Sequence, residues 1–328
     1  MAVIKPIRFG VVASGVEVHD LAATAKQAEG MGFSSIALND HFNSAAAPLL
    51  GLQAMAAATS QIRIATSVLN QDLRHPAVLA KEAATLDVLS GGRLELGLGA
   101  GWVRADYDES GIDFETARTR IGRLGENITI LRGLFGPDSL TFRGDHYAVA
   151  DLSGIPKPAQ PGGPPIMVGG GGRRLLSMAA ERADIVQVLG AAFGTQGAVV
   201  DDATSFRTRA FEERLDWMRS AAGTRFDALE LSLMLVFVAI TDNFETTATE
   251  FLETFNGAVA RYGGKVNHQL DLNLQTMFDS PVVAIGTLSE VCEKLVRVRN
   301  TLGFNYFVTP HASSMKALAP IVRRLTGA

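Results

Sequence analysis

Residues 62–102 read IRIATSVLNQDLRHPAVLAKEAATLDVLSGGRLELGLGAGW, and the order of patterns within them decides the fold. The first eight residues are rich in β-branched and apolar types, as a buried strand requires. From His75 to Ser90 the period changes. Val78, Leu79, Ala83, Leu86 and Leu89 form an apolar stripe, and Gly91 and Gly92 stop the helix. Residues 94–100 then return to a short, nearly continuous apolar run. A strand, a crossover helix and a second strand form one βαβ unit, whose strands are parallel and covered on both faces.

The same alternation extends in both directions. Strands are expected at residues 7–14, 35–40, 62–69, 94–100, 165–169, 184–189, 229–240 and 304–309, which makes eight. Leu21, Ala25 and Ala28 share a helical face that ends near Gly30 and Gly32; Ile121, Leu124, Ile128 and Leu131 share another that ends at Gly136-Pro137. Eight such units predict an α/β fold, a (β/α)8 TIM barrel over residues 1–328 in one domain. Residues 141–150 read as a small hairpin. Residues 191–227 and 261–280 read as insertions that roof the C-terminal mouth of the barrel.

Composition narrows the function. The 328 residues carry a net charge of -4, with a pI near 5.9. No basic face for nucleic acid is in prospect. The strongest apolar run, residues 231–240, is too short for a membrane helix, which needs about 20 residues. The N-terminus lacks the apolar core of a secretory signal. The single cysteine, Cys292, sits in a helical pattern as a small buried hydrophobe and cannot form an internal disulfide. A cytoplasmic protein is expected.

In such barrels, chemistry is carried by the C-terminal ends of strands. Strand two ends in Asn39-Asp40-His41-Phe42, where a carboxylate adjoins a group that titrates near neutral pH. The third ends in Thr66-Ser67-Val68-Leu69. Strand four ends in Gly97-Leu98-Gly99-Ala100-Gly101-Trp102, where the absence of Cβ atoms lets backbone approach a flat ligand. Trp102 spoils a dinucleotide fingerprint, and residues 105–113 read as an acidic loop, not the helix that fingerprint needs. The fifth strand runs into Gly169-Gly170-Gly171-Gly172-Arg173-Arg174 at a helix start, an arrangement suited to a phosphate. His311, after the eighth strand, is a further candidate for the mouth. No metal-ligand spacing such as HExxH occurs, and no metal is expected.

ALNDHF (37–42), IATSVLN (64–70), residues 75–102, PIMVGGGGRRLL (165–176) and AIGTLSEVCEKL (284–295) occur in an order that resembles the bacterial luciferase-like superfamily. The resemblance covers most of the chain and is weakest over residues 191–280. It implies a flavin-type cofactor in the barrel mouth. Asp40 would hydrogen-bond that cofactor, Gly99, Ala100, Gly101 and Trp102 would flank its ring, and Gly169, Gly170, Gly171 and Gly172 would take its phosphate. A non-prolyl cis peptide would fall at Ser67-Val68, backing the ring. TSVLN and DHF look closer to the branch that uses the deazaflavin coenzyme F420, which moves hydrides; FMN is the alternative, with a monooxygenase fed by a separate reductase. The sugar-phosphate dehydrogenase of that branch has a glutamate where this chain has Trp102. A glucose 6-phosphate substrate is therefore disfavoured, and a small, fairly apolar molecule is expected. The implied mechanism gives His41 the proton and Asp40 the positioning of cofactor or imidazole. A homodimer is expected, and a non-catalytic cofactor-binding barrel is the rival from outside enzymology.

Overall fold

In this computed structural model, the structure describes residues 5–190, 192–193, 199–200, 206–261 and 273–328. Eight parallel strands close into a barrel: β1 (Arg8–Val12), β2 (Ser35–Leu38), β3 (Arg63–Thr66), β4 (Leu94–Gly99), β5 (Ile166–Gly170), β6 (Ile185–Val188), β7 (Glu230–Met234) and β8 (Tyr306–Thr309). Each strand pairs with its sequence neighbour. The ring closes where Arg8–Val11 of β1 pair with residues 306–309 of β8. The eight helices that follow these strands are α1 (Leu21–Gly30), α2 (Pro48–Ala58), α3 (Pro76–Leu89), α4 (Ala117–Phe135), α5 (Arg173–Arg182), α6 (Thr208–Ala222), α7 (Leu288–Leu302) and α8 (Met315–Leu325). Right-handed βα units of this kind can bury both faces of a parallel sheet.

The barrel interior is packed. Val12, Ala37, Ala65, Met167, Ile185, Tyr306 and Val308 form one buried cluster, with Val68 and Met234 resting on it. Below it the first residues of the strands carry charge. Arg8 donates to Glu230 (2.6 and 2.7 Å) and Glu95 (2.7 Å), Arg63 joins Glu95 (2.7 Å), and the Arg8 guanidinium lies 3.6 Å from the centre of the Tyr306 ring. The polar closure of the lower end leaves the upper end free to be a site.

Three expectations need correction. Residues 229–240 are not one strand. β7 stops at Met234; Leu235 N–H donates to Val308 (2.7 Å), and Val236 N–H to Val282 (2.8 Å). The chain thus passes from one partner to another, and Phe237–Ile240 pairs in parallel with Val283–Gly286 outside the barrel sheet. Residues 191–227 are not wholly an insertion either, because α6 lies there as the ordinary crossover between β6 and β7. Its Phe211, Leu215 and Met218 are buried. Residues 105–113 are not all loop: Arg104–Ser110 is a helix ended by Gly111 in the left-handed region. The hairpin forms as Leu140–Arg143 against Ala148–Leu152. Among the described residues no helix is long and apolar enough to cross a membrane, and no group of three or more His, Cys, Asp or Glu is placed to hold a metal.

Candidate active site

The mouth is shaped by the way β3 ends. Thr66 Oγ1 donates to the Gly97 carbonyl and accepts from Gly97 N–H, both at 2.8 Å, so a side chain replaces the ladder at that point. A Cβ on Gly97 would collide with the Thr66 carbonyl oxygen, which accounts for glycine there. The peptide between Ser67 and Val68 is cis, and pairing to β4 resumes at Leu69 and Asn70. The Val68 side chain reaches the inner wall; a Cβ on Gly99 would lie 2.6 Å from Val68 Cγ2, and one on Gly169 would lie 3.2 Å from Cγ1.

A cavity of about 380 Å³ opens above this wall. Ser67 and Val68 form its back, Gly99, Ala100, Gly101 and Trp102 one side, and Gly169, Gly170, Gly171 and Gly172 the far end. Asp40 and His41 also line it, so the sequence-predicted site residues, His311 apart, are brought to one place. At the far end, α5 begins with Gly172 as N-cap, and its first backbone N–H groups have no helical acceptor. Arg173 and Arg174 are exposed beside them and line the same cavity. Buried Arg214 donates to the Gly171 carbonyl (3.1 Å) and holds that loop. A flat ring against glycine backbone and an anion at a helix N-terminus are what this shape accepts.

The carboxylate beside His41 has another task. Asp40 is 6% exposed, and it forms an ion pair with Arg74 (2.5 and 3.1 Å) and accepts from Asn70 N–H (3.1 Å). Asp40 therefore secures the loop after β3, and the imidazole is oriented from elsewhere. His41 Nδ1 meets Asp106 Oδ2 at 2.6 Å, and Asp106 Oδ1 accepts from Phe42 N–H at 3.2 Å. The indole of Trp102 stands edge-on to the imidazole, with ring centres 5.9 Å apart.

Asp106 is not among the sequence candidates, because residues 105–113 read there as an acidic loop. Its neighbour Tyr107 was missed too. Tyr107 is fully buried and donates to Asn70 (3.1 Å) and Asp72 (2.9 Å). Burial and the Asp72 carboxylate push its hydroxyl above the usual tyrosine range, so it stays a donor. Asp72 in turn pairs with Arg123 at 3.2 Å. Arg120, 3% exposed, donates to the Ala100 carbonyl (3.1 Å) and lines the cavity. Gln187 accepts from Ser67 Oγ (3.1 Å) within the barrel. These residues come together only through the barrel, and no local spacing announces them.

A second cavity, about 1160 Å³, adjoins the first and shares His41, Ser67, Trp102, Leu189 and Met234 with it. His311 lies on its rim, exposed. Apolar side chains supply much of the wall, among them Val12, Leu38, Val103 and Pro310.

The family model for luciferase-like monooxygenase matches residues 2–305. The chain belongs to the luciferase-like monooxygenase family. Within that family it is 35% identical over 162 residues to an F420-dependent glucose-6-phosphate dehydrogenase of Amycolatopsis mediterranei (strain U-32), covering 47% of this chain and 48% of the relative. It is 37% identical over 131 residues to an FMNH(2)-dependent dimethylsulfone monooxygenase of Pseudomonas fluorescens (strain Pf0-1), covering 40% and 35%. The chain thus spans about half the length, or less, of these curated relatives. In fold it is similar to an F420-dependent secondary alcohol dehydrogenase solved with an F420-acetone adduct: TM-score 0.75, 18% identity, 98% of this chain and 99% of that one. The luciferase-like barrel fold is therefore shared. The bond between His41 and Asp106 is read from this chain alone.

Proposed function

We propose that this luciferase-like protein is an F420-dependent oxidoreductase acting on a small, weakly polar organic substrate. The observation that carries the reading is the position of His41, on the boundary between two adjoining cavities and lining both. The smaller cavity suits the cofactor, since glycine backbone, the Ser67-Val68 bulge and the cationic start of α5 meet there. The F420-dependent relatives support the deazaflavin, and the dimethylsulfone monooxygenase makes FMN the competing cofactor. When bound, F420 supplies a hydride acceptor or donor.

The chain's own part is binding, shielding and one proton. Gly99, Ala100 and Gly101 would flank the ring, while Arg173, Arg174 and the first N–H groups of α5 would hold the phosphate. The substrate would sit in the larger cavity. An alcohol–carbonyl pair is the simplest chemistry for such a junction: the C–H bond breaks as a hydride leaves, and the O–H proton passes to His41. In the reverse direction His41 returns the proton. Trp102 cannot act as a general acid and serves as an apolar wall. Among the described residues lining the larger cavity, the one lysine or arginine is Arg104, which is paired with Asp108 at 3.1 Å. This supports an uncharged substrate over a sugar phosphate.

The test is a turnover assay that follows F420 absorbance across neutral alcohols and ketones, with glucose 6-phosphate alongside. His41→Ala should retain F420 binding and lose about 10²–10⁴-fold in kcat, the usual worth of a general acid–base group. Unchanged turnover would remove His41 from the reaction. Turnover of glucose 6-phosphate alone would overturn the substrate assignment.

A further inference from the structure

His41 meets Asp106 through one ring nitrogen only. The Nδ1–Oδ2 distance is 2.6 Å, and the carboxylate is 6% exposed against 24% for the imidazole. An ionised carboxylate only accepts hydrogen bonds, so this contact requires the proton on Nδ1. Nε2 then has a free lone pair. Among the described residues Nε2 has no hydrogen-bond partner, and the ring borders both cavities. The second oxygen of Asp106 is held by Phe42 N–H, the residue after the histidine, so the carboxylate grips backbone and ring together. Trp102 closes the other side of the ring at 5.9 Å.

Two other charged groups that line these cavities are engaged elsewhere. Asp40 is bound to Arg74, and Arg104, on the same short helix as Asp106, to Asp108. One carboxylate thus controls the imidazole, and it comes from the segment after β4, not from the strand that bears the histidine.

We propose that Asp106 is the positioning residue of this site, fixing His41 in the Nδ1–H tautomer so that Nε2 exchanges the substrate proton. The proposal rests on the reading of His41 given above, and adds the device that makes one nitrogen available. Removing such a carboxylate while keeping its shape leaves an amide that can donate to Nδ1 and so favour the wrong tautomer. A role limited to packing would leave the tautomer unchanged.

The experiment uses cofactor-free protein labelled with 15N-histidine, with long-range proton–nitrogen correlation NMR reading the tautomer of each ring. Loss of one set of signals in His41→Gln assigns His41 among the six histidines. The wild type should show Nδ1–H at His41. Asp106→Asn should move the population to Nε2–H, and Asp106→Glu should keep the wild-type form. In the F420-loaded enzyme Asp106→Asn should lower kcat by about 10²-fold or more, with F420 affinity changed less than about threefold. A wild-type ring protonated on Nε2 overturns the proposal, as does an Asp106→Asn spectrum that matches the wild type. Should Asp106→Asn fail to fold, the wild-type spectrum alone still decides. If the spectra behave as expected but no F420 turnover is found, the functional reading fails and the positioning role stands.

Discussion

Gly101 holds φ at +73°, and a Cβ there would run into the Tyr107 hydroxyl and approach Asn70 Oδ1 to 2.7 Å. Neither neighbour is a loose surface chain. Tyr107 is fully buried, and Asn70 also accepts from Asp72 N–H at 3.1 Å. Replacement by alanine combines left-handed strain with a clash against a fixed group, and strain of this kind alone costs about 1–3 kcal/mol. Gly101→Ala should therefore lower stability by at least that amount in urea unfolding and weaken cofactor binding. A variant of wild-type stability would show that the turn relaxes freely. The glycine itself was legible in the sequence, because a residue without Cβ after a strand marks close approach. The side chain that fills the space was not, since Tyr107 sits six residues on in a stretch whose acidic residues suggested loop.

Strands and helices were legible where period and buried face agreed. The stripe between His75 and Ser90 and the apolar run over 94–100 match α3 and β4 to within a residue at each end. Residues 229–240 misled for a physical reason: β7 and the outer strand Phe237–Ile240 are both apolar, and the exchange of partners at Leu235 and Val236 leaves no polar mark. The charged ends of the strands went unread as well, because Arg8, Glu95 and Glu230 meet only when the barrel closes. Burial favours the neutral form of Glu230, but the Arg8 fork and Asn305 outweigh it and hold the carboxyl below the usual range. A depressed carboxyl contributes stability above its unfolded value of about 4, and this is lost as pH falls through the folded value. Unfolding free energy should therefore fall on acidification below that range. Glu230→Gln should flatten the dependence while costing stability at neutral pH; a variant with the same acid slope would remove Glu230 from the linkage.

At the scale of the molecule, the barrel separates stability from chemistry. Its lower end is closed by a buried ion cluster, and its upper end gathers the strand ends around two adjoining cavities. On the proposed function, the smaller cavity holds a deazaflavin by its glycine walls and by the start of α5. The most direct measurement is a parallel titration of the protein with F420 and with FMN, followed by fluorescence quenching, on wild type and on the double variant Arg173→Ala/Arg174→Ala. Both arginines are exposed and form no hydrogen bond or ion pair among the described residues, so their loss should leave folding intact. F420 should bind saturably at one per chain, tighter than FMN, and about tenfold or more weaker in the double variant, since one charge-assisted contact of about 1.5 kcal/mol corresponds to that factor. Tight binding of FMN with none of F420, or F420 binding indifferent to both arginines, would contradict that function.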